Sequence, residues 1–155
     1  MREILFRGKR KDNGEWIEGY LVNARYYLDD SLTSIIIPTF NPYSDTSDPT
    51  LYPRCEISGC EEVNPETVGQ FTGLTDKNGN KVFEGDIVKT KYGRLCVVVW
   101  FSSQVCSCWD LQTICTVENC VHTKYPDAID IFKKENLEVI GNIHDNPELL
   151  KGGAE

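Results

Sequence analysis

The sequence predicts a mainly β protein, with β-hairpins leading into an SH3-like barrel or barrel-like sheet and a short C-terminal helix. Three observations carry this expectation. Two Asn-Gly pairs, Asn13-Gly14 and Asn78-Gly79, each separate runs rich in β-branched and aromatic residues. Alternating runs flank a third turn at Tyr92-Gly93. Leu95–Phe101 (LCVVVWF) is apolar on both faces, as a central strand is.

Taken in order, REILFRGKR (2–10) and WIEGYLV (16–22) read as the first hairpin, because Asn-Gly accepts the positive φ that a tight turn requires. Ser34–Pro38 reads as a strand stopped by its proline. Residues 41–53 (NPYSDTSDPTLYP) contain three prolines and read as a polar loop, the segment expected to be most mobile. QFTGL (70–74) and KVFEGDIVK (81–89) form the second hairpin, and Asp86–Lys91 with Arg94–Phe101 the third. Residues 104–121 hold one or two further strands, 127–134 fit either a helical turn or a strand, and Leu137–Ile143 is the last strand. Asn146 then suits an N-cap, Pro147 the first helical position and Glu148 the positive helix end, with Gly152-Gly153 closing a short helix. The expected division is an N-terminal β portion, 1–62, and a barrel-like portion with the terminal helix, 63–155. The two portions are free to share one core.

Composition narrows the function. The net charge is −8, and both halves are acidic: 1–62 has 7 basic and 11 acidic residues, 63–155 has 9 and 13. That field opposes nonspecific phosphate binding, which needs clustered cations. No apolar run approaches the ~20 residues that cross a bilayer, and Ile4-Leu5-Phe6 is too short for a signal-peptide core. A cytosolic location with no membrane partner is the expectation. Seven cysteines, an odd number, argue for reduced thiols.

The chemical motifs are each weak. Asp76, Asn78 and Asn80 match positions 1, 3 and 5 of a calcium loop, but Lys81 and Ile87 stand where it needs glycine and glutamate. The glycines at 69, 73, 79 and 85 fit no phosphate loop and serve turns. Cys106, Cys108, Cys115 and Cys120 offer four thiols without a CxxC pair, so core or surface thiols are favoured over zinc. Cys120 and His122 lack the third group that a catalytic dyad needs, and Glu61-Glu62 or Asp29-Asp30 point to opposite strand faces. No catalytic residue, metal or cofactor is assigned. Arg7, Lys9, Arg10 and Lys11, with Trp16 and Tyr20 on the returning strand, form the best nucleic-acid candidate. Asp12, Glu15 and Glu18 partly neutralise it, so a solubilising strand edge is the favoured reading. Glu84-Gly85-Asp86-Ile87-Val88 matches the turn-into-strand of small barrels, where Gly allows the turn and Asp binds nearby amides.

Three blocks in this order resemble the YopX family of phage and prophage proteins: Met1–Arg7 (MREILFR), Val63–Val88 (VNPETVGQFTGLTDKNGNKVFEGDIV) and Leu137–Leu150 (LEVIGNIHDNPELL). The resemblance spans 1–150. It implies a largely β accessory protein of a phage or prophage, from a functionally uncharacterised family, so no catalytic residues carry over. What carries over is structural: Thr72, Gly73, Leu74, Asn78, Gly79, Glu84, Gly85 and Asp86 in the central block, and Gly141, Asn142, Asn146 and Pro147 in the last. The cysteines of 106–120 lie between blocks. The expected function is a non-enzymatic interaction module in the host bacterial cytoplasm, whose partner is a host or phage protein. Nucleic acid through Arg7–Lys11 and a Cys-dependent metalloprotein or enzyme are the alternatives, and a homo-oligomer is compatible with the sequence.

Overall fold

The computed structural model describes residues 3–26, 31–38, 41–42, 55–56, 59–103, 107–114 and 133–151. The chain forms two compact units, Glu3–Gln70 and Phe71–Glu155. Both are antiparallel β structure.

In the first unit, β1 (Phe6–Lys9) pairs with β2 (Trp16–Arg25) in the register Lys9↔Trp16. β2 pairs with β3 (Leu32–Ile37), and β3 with β6 (Glu61–Val63). The other edge of β1 meets the start of β7 (Gly69–Thr75) at Arg7↔Gly69. A separate short pair joins β4 (Asn41–Pro42) to β5 (Cys55–Glu56). Leu5, Ile36, Ile37 and Val63 are buried, and Gly8 lets β1 lie directly against Val63. The strand expected at 34–38 is β3, and it ends at Pro38 as proposed from the sequence.

The second unit begins with the hairpin of β7 and β8 (Lys81–Phe83). Its four-stranded sheet has the order β11-β10-β9-β12, with β9 Asp86–Thr90, β10 Leu95–Ser102, β11 Ser107–Thr113 and β12 Leu137–Asn142. The core is Val82, Val88, Cys96, Val98, Leu111 and Leu137, with Trp109 and Val139 against it. Phe83 packs on Phe71 with ring centroids 5.5 Å apart.

The turns use Asn-Gly differently from the two-residue type expected. Arg10 N–H bonds Glu15 O, leaving a four-residue loop with Gly14 at φ +72. Asp76 N–H bonds Asn80 O while Gly79 N–H bonds Asp76 O, which is a three-residue loop with Gly79 at φ +90. Thr90, Gly93 and Arg94 repeat this pattern, with Gly93 at φ +80. In each loop glycine supplies the single left-handed residue that follows a type I turn. A side chain at Gly79 would meet nothing within 4 Å, so Gly79→Ala is expected to cost only the left-handed backbone penalty, about 1 kcal/mol in denaturant unfolding.

Two expectations are corrected. The sheets do not close into a barrel: β11 and β12 are the outer strands of the second sheet and pair with β10 and β9, not with each other. The C-terminal helix is also absent, since Pro147–Lys151 forms only a 3-10 turn. Five residues make too few hydrogen bonds to offset helix nucleation, and the Asn146 side-chain oxygen accepts from Asn142 N–H (3.3 Å) in place of capping a helix. The polar loop at 43–53, the ambiguous segment at 127–132 and residues 104–106 and 115–121 lie outside the described residues.

Candidate functional site

The residues of the sequence signature turn inward, onto the backbone. Asp76 is fully buried. One carboxylate oxygen accepts from the N–H groups of Asn78 and Asn80, both at 2.8 Å. The other accepts from Val139 N–H at 3.0 Å and the Asn80 amide at 3.2 Å. Burial alone would push this carboxyl up. Its amide donors, Val139 and Asn80 foremost, more than offset that and hold it below the usual carboxylate range. Both carboxylate oxygens of Asp76, the first ligand a calcium loop would offer, are committed to amides.

Asp86, also fully buried, accepts from Phe83 N–H at 2.7 Å, as the turn-into-strand reading requires. Gly85, at φ +80, donates to Val98 O and accepts from Ile143 N–H, so it ties the entry to β9 to the middle of β10 and to the residue after β12. The Thr72 hydroxyl donates to Val82 O (2.8 Å) and accepts from Leu74 N–H (3.2 Å), next to Gly73 at φ +88. In the last block, the Asn142 side-chain oxygen accepts from His144 and Asp145 N–H, and its amide donates to Asp145. Asn146 folds so closely over Gly141 that a Cβ there would lie 2.3 Å from its oxygen. Pro147 opens the final turn.

The basic run is brought together and largely neutralised. Arg7 and Lys9 both cover the Trp16 ring, at 4.7 and 5.5 Å from its centroid. Arg10 contacts Asp12 (2.6 Å) and Glu61 (3.0 Å), and Lys11 contacts Glu62 (3.2 Å). The Asp12 hydrogen bond raises Arg10 and lowers Asp12. Trp16 therefore offers its ring to cations already in place and not to a base. Reversing Lys9, Arg10 and Lys11 to Glu is expected to leave oligonucleotide binding unchanged. Fluorescence anisotropy at low salt checks this, and loss of a steeply salt-dependent affinity would restore the patch as a site.

A different surface is unsatisfied by its surroundings. β10 sends Cys96, Val98 and Trp100 to the core face, and the core ends before Trp100. Trp100 stands opposite Trp109 in register, and their rings meet edge to face at 4.9 Å. Trp100 is 46% exposed and Phe101, on the opposite face, 45%. The neighbours Ser102, Ser107 and Cys108 carry no charge. Leu95–Phe101 is thus central, as expected, but not covered along its whole length. The sequence signal was present in Trp100, Phe101 and Trp109; what it lacked was where the core stops.

Of the cysteines, Cys96 is buried, Cys60 and Cys108 are exposed, and none of the three is in a disulfide. Cys106, Cys115, Cys120 and His122 lie outside the described residues. Among the described residues no cluster of His, Cys, Asp and Glu could hold a metal, and no helix is long and apolar enough to cross a membrane.

A family model described as YopX protein matches residues 5–151. The fold resembles the crystal structure of protein EF1440 from Enterococcus faecalis, with a TM-score of 0.57 and 23% identity over 97% of this chain and 99% of that one. No curated protein matches the chain.

Proposed function

The chain belongs to the YopX family, and from that premise we propose that it is a phage- or prophage-encoded accessory protein that works as a non-enzymatic interaction module in the bacterial cytosol. The observation that carries this reading is the aromatic end of the β10–β11 hairpin, with Trp100 and Phe101 about half exposed on its two faces. Exposed aromatic side chains are enriched among the anchors of protein interfaces. The partner is a protein with an apolar face, the surface that exposed aromatic rings match. The rest of the site supports the same reading: Asp76, Asp86, Asn142 and Asn146 spend their polar groups on the protein's own backbone.

The test is capture of partners by the tagged chain from host lysate, with and without nuclease, read by mass spectrometry. A specific protein recovered under both conditions is the expected result. Recovery that disappears with nuclease would overturn it in favour of nucleic acid. Metal analysis under reducing conditions tests the competing metalloprotein reading, which about one zinc per chain would support.

A further inference from the structure

Three lysines from separate segments converge on one groove in the second unit. Lys77 comes from the β7–β8 turn, Lys89 from β9 and Lys91 from the turn after it; Glu135, Asn136 and Glu138 line the facing wall. The groove has a volume of about 260 Å³. Its geometry is set by the backbone. Lys77 N–H donates to Leu137 O, Lys91 N–H donates to Asn136 O, and Lys89 lies opposite Glu138 in register. All three lysines are exposed, and Tyr92 beside them is 64% exposed, its ring 5.1 Å from the Lys91 ammonium.

The charge here runs against that of the whole chain. The charged lining is Lys77, Lys89 and Lys91 against Glu135 and Glu138, an excess of one cation in a protein of net charge −8. Charges farther off than a Debye length, ~8 Å in physiological salt, are largely screened, so a ligand in the groove meets a local excess of cations. One wall already holds an anion: the Glu138 carboxylate sits 2.7 Å from the Lys77 ammonium.

We infer that this groove binds a phosphomonoester through Lys77, Lys89 and Lys91. Above its second pKa, near ~6, a phosphomonoester carries close to two negative charges, and lysine ammonium groups bind phosphate as mobile point charges. A free nucleotide and the 5′-phosphorylated end of a single strand present the same chemistry. Glu138 competes with the ligand for Lys77. The inference goes beyond the hairpin reading and uses none of its residues, so either can fail alone.

The experiment is an amide-shift NMR titration of the full chain with inorganic phosphate, AMP, a 5′-phosphorylated oligothymidylate and the same oligonucleotide with a 5′-hydroxyl. Saturable shifts are expected at 89–93 and 136–138. Lys89→Glu with Lys91→Glu should weaken binding by about tenfold or more, and Glu138→Gln should tighten it about threefold. Both substitutions are at the surface, and the unperturbed remainder of each spectrum verifies folding. Response to AMP without response to either oligonucleotide assigns a free nucleotide; response to the phosphorylated oligonucleotide but not the hydroxyl form assigns a strand end. An absence of saturable shifts with phosphate, AMP and phosphorylated strand up to about 20 mM would overturn the inference. So would equal shifts from the 5′-hydroxyl strand, or shifts that survive the double reversal.

Discussion

Asp76→Ala is expected to remove about 3–5 kcal/mol of stability, read as a fall in the denaturant midpoint. The carboxylate is fully buried and accepts from three backbone N–H groups and one side-chain amide. Alanine would take the acceptor from all four donors at once, and the half-buried Val139 N–H has the least access to water as a replacement. The damage would also not be local, because Val139 N–H lies 63 residues away and ties the β7–β8 turn to β12. If the alanine variant does not fold, Asp76→Asn still tests the point. Its amide keeps the shape but brings one acceptor where the carboxylate brings two, so a smaller loss is expected. The pH dependence follows from the same bonds. The folded carboxyl is held below its unfolded value, so its contribution is complete above about pH 4 and is lost as pH falls through the folded value. Wild-type stability should therefore drop in acid by a component that Asp76→Asn lacks. Equal acid sensitivity in the two proteins would show that Asp76 is not the brace described.

Gly19→Ala is expected to cost about 3 kcal/mol, from steric overlap and not from backbone entropy. Gly19 lies on β2 opposite Phe6. A Cβ there would sit 2.2 Å from the Ile37 carbonyl oxygen, 2.6 Å from its carbon and 2.8 Å from Pro38 Cα. These are backbone atoms at the end of β3 and cannot rotate aside, so β3 itself must shift. Gly79→Ala is the matched control, since its Cβ meets only open space. Equal losses at the two positions would mean that the close approach of β2 and β3 is not what requires glycine.

Most hairpins were legible because their signals are local. Asn-Gly, Tyr92-Gly93 and Pro38 act within a few residues, and all three hairpins formed where those signals lie. The role of Asp86 was legible for the same reason, its amide partner being three residues away. What the sequence did not disclose depends on distant partners. Glu61 and Glu62 neutralise Arg10 and Lys11 across 51 residues, so the basic run looked more available than it is. Lys77, Lys89 and Glu138 meet only when the sheet forms. The barrel expectation failed at the same point: strand number and alternation do not specify whether the outer strands pair, and here β11 and β12 do not. The terminal helix was over-read from good capping residues in a segment too short to propagate.

The proposed docking surface is the aromatic end of the β10–β11 hairpin. The most direct measurement compares partner capture by the wild-type chain and by Trp100→Ser with Phe101→Ser, in nuclease-treated lysate. Both side chains are about half exposed, so the variant is expected to keep its fold by circular dichroism and lose the captured protein. Capture of the same protein at the same yield by the folded variant would contradict the account.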